Sequence, residues 1–479
     1  MSASLFLACF FIYIVTMIVI GWWVTRKKQS GDDFLLAGRN VPFFLTLGTT
    51  LATMVGTGSS MGAVGKAYQV GWLGGLYGIG GGIGILLVAW MFAPARKHRF
   101  MTMSEELSSY VGANRTVMNV VAVFVYLSNV GWLGAHIIGG GLYLNFVTGI
   151  DLFWAKTLIA IGFGIYSVIG GYRAVVWTDS IQAVVLFLGF ILTAVFAYQS
   201  VGGFAQMQQV HAVQVEQGGG MRLLPAISLV VVIAVGQLGS SANRQRVYSG
   251  ISTSAIRKAF VSSGILYLLF SLMPAVIGIA AFQANPGLKD QDHAFPWMAT
   301  EMLPLALGVL VLLAGLSASM SSASSDVITA VTVVIRELYL MVFGKLPAPQ
   351  RVVFVSRWAV TVTTLLGLAM ALAATDIIGY IKDMVALFVA GMAVCGVLGR
   401  FWPRFNGVGA IATLLAAFGI ALTFKFMPEQ TEWWGGSVLP TLAFGTTVGI
   451  LASLLSPPDA RTHEEAVQFL ARERDQMSA

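Results

Sequence analysis

The segment "LSASMSSASSDV", Leu316 to Val327, sets six serines and an aspartate inside a run from 303 to 340 that is otherwise apolar enough to cross a bilayer. Residues three and four apart share a helix face, so Ala318, Ser321, Ser322 and Ser325 form one stripe, with Ser324 beside it. Hydroxyls and freed backbone carbonyls are neutral oxygen donors. By the chemistry that governs calcium and magnesium, these are the ligands that a hard cation such as sodium takes. The same small side chains also serve close helix packing, and the stretch by itself does not choose between the two roles. Two other residues carry chemistry into apolar surroundings. Asp179 is an ionisable group that functions by default if it lies within a bundle, or caps a helix end or pairs with Arg173 if it does not. His136 stands deep in an apolar run, as a packing residue, a solute contact or a proton carrier.

The elements that must position these residues follow from composition. With 57% hydrophobic residues, 10% charged residues and a mean hydropathy of +0.80 over 479 residues, the chain is a polytopic, all-α membrane protein. Thirteen apolar segments are predicted, at 5–25, 43–68, 72–94, 116–146, 152–170, 178–200, 224–246, 256–283, 303–340, 352–374, 377–399, 407–426 and 437–456. Of the 28 lysines and arginines, 22 fall on alternate connections, which makes that face cytoplasmic, the N-terminus external and the C-terminus internal. The net charge of +7 is then a topological bias, and no nucleic-acid partner is expected.

The first segment has Arg26, Lys27 and Lys28 after it and no basic residue before it, which reads as an anchor instead of a cleaved leader. Cys9 and Cys395 lie within separate segments, so neither a disulfide nor a metal cluster is expected. Soluble matter is confined to loops such as 201–222 and a charged tail after Ser456. No metalloprotease, phosphate-loop or serine-hydrolase template occurs, and the chain is not read as an enzyme. The glycine-rich run Gly71 to Leu86 reads as helix packing.

Two segments look interrupted. "LGTTLATMVGTGSSMGAVG" (Leu47 to Gly65) and "VGQLGSSANRQR" (Val235 to Arg246) mix glycines and hydroxyls through membrane depth, where irregular backbone survives only if buried in protein or lining a wet cavity. A matched pair of broken segments in two halves points to a central transport site. Five segments separate them, as expected for two five-helix inverted repeats. No letter-level similarity joins the halves, so the repeat rests on topology.

Four ordered motifs extend this reading. "DDFLLAGRNVPFF" (Asp32 to Phe44), "GGYRAVVWTDSIQ" (Gly170 to Gln182), "RQRVYSG" (Arg244 to Gly250) and "ASMSSASSDVITAVTVVIRELY" (Ala318 to Tyr339) resemble signature segments of the sodium/solute symporter family, whose members carry proline, pantothenate, sugars, sialic acid, iodide or choline. The resemblance runs from about residue 5 to 456. It implies a leucine-transporter-like 5+5 inverted-repeat fold: a transporter domain over 1–456, repeats at 43–200 and 224–399, added helices at 5–25 and 407–456, and a cytoplasmic tail over 457–479. It also implies sodium coupling at the plasma membrane. A first sodium is expected at the carbonyls of Ala52, Val55 and Ala318 with the hydroxyls of Ser321 and Ser322. A second, found in some relatives, would use Asp179 with Ser321, Ser324 and Ser325. Asp326 receives no role. One charge crossing 100 mV is worth about 2.3 kcal/mol, so each sodium supplies roughly 40-fold of solute accumulation at about 1.4 kcal/mol per tenfold.

Family geometry suggests a solute pocket of Gly56, Ser59, Ser60, Tyr77, Asn129, Trp132, His136, Gln237 and Ser240, although each is also a plausible packing residue. The fourth segment has no arginine after Arg115, where sialic-acid carriers place a carboxylate clamp. Sugar carriers place an aromatic gate at the position of Gly236 and an asparagine at that of Met54. A small amino acid or organic acid is therefore favoured over a sugar or a quaternary amine, imported by alternating access. A sodium-responsive sensor or a leak on the same scaffold is the reading from another class.

Overall fold

The computed structural model describes residues 3–26, 35–374 and 376–478, with backbone alone at 166–170, 349 and 475–478. Lys27, Lys28 and the opening of the first motif, Asp32 to Phe34, lie outside the described residues. Every predicted apolar segment is helical. Ten helices are long and apolar enough to cross a membrane, while Phe43–Met54 and Leu152–Ile165 are shorter. Large apolar side chains face outward on the peripheral helices, with Leu455 87% and Phe426 80% exposed, a surface that suits lipid and would be untenable in water.

The serine-rich helix Leu305–Val333 is central and buried along nearly its whole second half. It packs against Leu152–Val201 and Arg115–Thr148. Small residues permit the approach: a Cβ on Gly315 would stand 1.9 Å from the Tyr143 hydroxyl.

Both interruptions are present. Phe43–Met54 stops at Val55, and the chain resumes in the wide turns of Gly58–Gly62 before Ala63–Val70. Leu223–Leu238 stops at Gly239, and Ser240 caps Ser241–Ser249 by accepting from the Asn243 amide at 3.2 Å.

Elsewhere the structure departs from the sequence reading. Segments 152–170 and 178–200 are one run, Leu152–Val201, turned at Gly171 alone (φ 57°, ψ −176°). Glycine reaches that conformation without a Cβ clash, so no loop is needed. Asp179 thus lies about two turns inside the second part instead of at its end. Its suggested alternative partner, Arg173, is exposed. The loop 201–222 contains a helix, Phe204–Gln214, because Met207 and Val210 bury one face and Gln214 donates to the carbonyls of Ala67 (3.1 Å) and Tyr68 (2.8 Å). The tail forms His463–Ser478, docked on Met103–Ser109 through Arg474–Glu105, while Glu473 pairs with Arg115 at 2.7 Å. Arg244 and Arg246, counted above as loop charges, are fully buried.

Candidate functional site

A helix that stops within the bilayer frees carbonyls that must find partners. At the first break the serine helix supplies them. Ser321 Oγ lies 2.9 Å from the Ala52 carbonyl and 3.2 Å from that of Ala318. Ser322 Oγ lies 3.0 Å from the Thr53 carbonyl, 3.1 Å from Ala318 and 3.4 Å from Ala52. Two hydroxyl hydrogens therefore face three carbonyl oxygens, leaving an oxygen-rich, uncharged cluster with more lone pairs than donors. That donor set fits a sodium ion. The break has a steric cause as well: a Cβ on Gly56 would stand 2.8 Å from Ser322 Oγ, and one on Gly58 2.1 Å from the Tyr77 hydroxyl. Of the residues named from sequence for this ion, Ala52, Ala318, Ser321 and Ser322 converge. The Val55 carbonyl receives no bond from either serine; that of Thr53, not anticipated, does.

One turn further along the serine helix the chemistry changes. Asp179 is fully buried, and its Oδ2 accepts from Thr49 Oγ1 at 2.7 Å and Ser325 Oγ at 3.1 Å. The Arg246 guanidinium sits on the same oxygen at 3.4 Å and also donates to Ser325 (2.8 Å), Thr49 (2.9 Å) and Thr53 Oγ1. Of the four residues named for a second sodium, Asp179 and Ser325 meet, with a guanidinium between them. Ser324 instead donates to the Ser321 carbonyl at 2.9 Å, and Ser321 belongs to the neutral cluster. The signal for Arg246 was present in "RQRVYSG", next to the second broken helix, but topological charge counting assigned it to a loop.

Between these helices lies a cavity of about 40 Å³. Gly56, Ser59, Tyr77, Trp132, His136, Gln237 and Ser240 line it, as expected from sequence. Ser60 and Asn129 do not: Ser60 Oγ donates to the Gly56 carbonyl at 2.8 Å, and Asn129 Nδ2 to the Val125 carbonyl (2.6 Å) and Ser241 (2.8 Å). Thr53, Ser322 and Asp326 line it unannounced. Ser322 thus belongs both to the neutral oxygen cluster and to the cavity wall. Trp132 lies over His136 with ring centroids 6.5 Å apart and planes at 18°.

Broken helices around a polar centre define a membrane transporter, and solved structures place it more narrowly. A Na+-coupled sialic acid symporter in a substrate-bound outward-open state superposes with TM-score 0.79 at 20% identity, covering 95% of this chain and 98% of that one. MhsT in complex with L-phenylalanine gives TM-score 0.57 at 16% identity, covering 86% and 97%. The fold is therefore the leucine-transporter-like one. The family model described as "SSF: Sodium:solute symporter family" matches residues 34–417, and the chain belongs to that family. Among curated relatives, the sodium/glucose cotransporter of Vibrio parahaemolyticus is 26% identical over 93% of this chain and 89% of its own length. The sodium/proline symporter of Salmonella typhimurium is 25% identical over 96% and 95%, and the sodium/pantothenate symporter of Haemophilus influenzae 23% over 90% and 92%. The chain is a multi-pass membrane symporter with sodium as its coupling ion, and not an enzyme.

Proposed function

We propose that the chain imports a small amino acid or organic acid by alternating access, with sodium held between the broken helix and the serine helix. Ser322 carries this reading. Its hydroxyl reaches the carbonyls of Ala52, Thr53 and Ala318 while it borders the cavity, so an ion there stiffens the wall against which a solute rests. Binding of sodium would join the two helices and assemble the outward-facing pocket; solute would then favour closure and release to the cytoplasm. The first ion takes the oxygens of Ala52, Ala318, Ser321 and Ser322, with Val55 or Thr53 completing the set.

A second ion would use Asp179 and Ser325, drawing in Ser324 and Ser321. Its entry is opposed by Arg246, which already holds Oδ2 of the carboxylate and bonds to Ser325, while Oδ1 carries no hydrogen bond. The novel Na+-site of the Na+-coupled sialic acid symporter supports such an ion. The relatives carry glucose, proline and pantothenate, and identity near 25% separates them poorly. Gly236 on the cavity wall, where a sugar carrier would hold an aromatic gate, favours the smaller solute. The two repeats are proposed at 43–200 and 224–399, with the N-terminus outside.

Reconstitution with an inward sodium gradient tests the reading. Accumulation of solute above equilibrium is expected, and it should disappear when potassium replaces sodium at fixed pH. Flux that only equilibrates would indicate a leak.

A further inference from the structure

Among the described residues, Asp326 is the one carboxylate on the cavity wall, and no lysine or arginine stands there with it. The residue is 5% exposed, and its recorded partner is His136, whose Nε2 lies 3.2 Å from Oδ2. His136 Nδ1 is 3.1 Å from Thr57 Oγ1, which is 2.8 Å from Ser319 Oγ. His136 thus links the Asp326 carboxylate to Thr57 and Ser319 in one line of polar contacts. The neighbouring cation, Arg246, is engaged by Asp179, Thr49 and Ser325. Asp326 thus meets the space where solute sits with an imidazole, and not a guanidinium or an ammonium, as its ion-pair partner among the described residues.

We propose that Asp326 is the ammonium anchor of the solute site: the cavity selects a protonated primary or secondary amine, whose N–H donors take the place of His136 at the carboxylate. The inference rests on the sodium-symport reading and narrows its solute class. A carboxylate held by a single imidazole contact keeps acceptor capacity free, so a solute that brings N–H donors and the opposite charge is favoured over a neutral one. An anion would meet like charge. The carboxylate of an amino acid is left to Gln237, to the hydroxyl of Ser240, and to the sodium beside Ser322. The cavity volume of about 40 Å³ supports displacement: it admits only about three or four waters at roughly 10–15 Å³ each, so a solute enters by moving a wall group. The imidazole is the group whose place an ammonium can take. It also packs on the break itself, since a Cβ on Gly56 would stand 2.9 Å from His136 Cε1. Its displacement is therefore felt by the backbone that presents carbonyls to sodium.

The test uses the purified full chain in detergent and follows thermal stability in sodium and in potassium chloride. Probes are the common amino acids, the matched pairs L-alanine and propionate, L-proline and cyclopentanecarboxylate, and L-leucine and 4-methylpentanoate, and D-glucose. Stabilisation by the amine member of at least one pair, greater in sodium and absent for its deaminated partner, is expected. Asp326→Asn should weaken the amine response at least tenfold in concentration while the response to sodium alone persists. Equal stabilisation by a deaminated partner, stabilisation by glucose alone, or no response to any amino acid overturns the assignment. If sodium gives no shift over potassium yet amines still stabilise, the anchor stands and the sodium reading falls. Should Asp326→Asn not fold, the wild-type pairs decide the matter, and Asp326→Glu should keep the amine preference.

Discussion

At Ser321 and Ser322 the serine helix meets only neutral oxygens, whereas one turn on, at Ser325, it meets a carboxylate already joined to a guanidinium. The first cluster has lone pairs in excess of donors and no charge to displace, so an incoming sodium brings the only full charge. The second is already close to electroneutral. Arg246 already supplies the counter-charge at Oδ2, so a cation there would gain less than at the neutral cluster. Side chains that look interchangeable in "SSASS" thus serve two kinds of electrostatics.

The largest effect expected from breaking this contrast is at the charged locus. Asp179→Asn leaves Arg246 buried without its counter-charge and should cost about 3–5 kcal/mol of stability. The double variant Asp179→Asn/Arg246→Met should recover much of it in chemical or thermal unfolding; additive losses would show that the two are not coupled. At the neutral locus Ser321→Ala removes an oxygen without stranding a charge. It should leave the melting temperature in potassium nearly unchanged and raise the half-saturating sodium concentration for uptake by about 10–100-fold, the worth of roughly 1.5–3 kcal/mol for a contact to a charged group. Gly58→Ala acts on the same locus through the backbone. The added methyl meets the Tyr77 hydroxyl and the end of Ile381, and overpacking of this kind costs about 1–3 kcal/mol; an unaltered melting temperature would mean that the break does not need the glycine.

A smaller effect sharpens the role of the guanidinium. Asp292, in the connection between Thr253–Ala284 and Leu305–Phe343, is a buried carboxylate with no arginine or lysine ion pair among the described residues. Burial, reinforced by Asp290, pushes its carboxyl from 3.8 up to about 7. The folded state then keeps a proton that the unfolded chain loses near pH 4, so stability should fall as pH rises from about 4 to about 7 and level off above that. Asp292→Asn should flatten this part of the stability profile, measured as melting temperature against pH.

Most of the helices and both broken segments were legible in the sequence, because hydropathy and the glycine–hydroxyl pattern are local signals, and of the five residues that the family resemblance implied for a first sodium the structure brings Ala52, Ala318, Ser321 and Ser322 together. What escaped was set by tertiary approach. Gly171 lets a helix turn within one residue, which a hydropathy window reads as a loop of seven. Arg246 followed a positive residue count that cannot tell a cytoplasmic arginine from one folded back into the bundle. Asp326 had no partner in sequence, because His136 lies 190 residues away on another helix. Ser60 and Asn129 illustrate the opposite error: each has the right chemistry, but its hydrogen bonds turn it to backbone or to Ser241.

Coupling depends most on sodium being held where the broken helix meets Ser321 and Ser322. Direct binding of radioactive sodium to the purified chain, comparing wild type with Ser321→Ala and Ser325→Ala, addresses this without needing the solute. The expected result is saturable sodium binding that Ser321→Ala weakens at least tenfold and Ser325→Ala leaves at the high-affinity site. Unchanged binding in Ser321→Ala would contradict it.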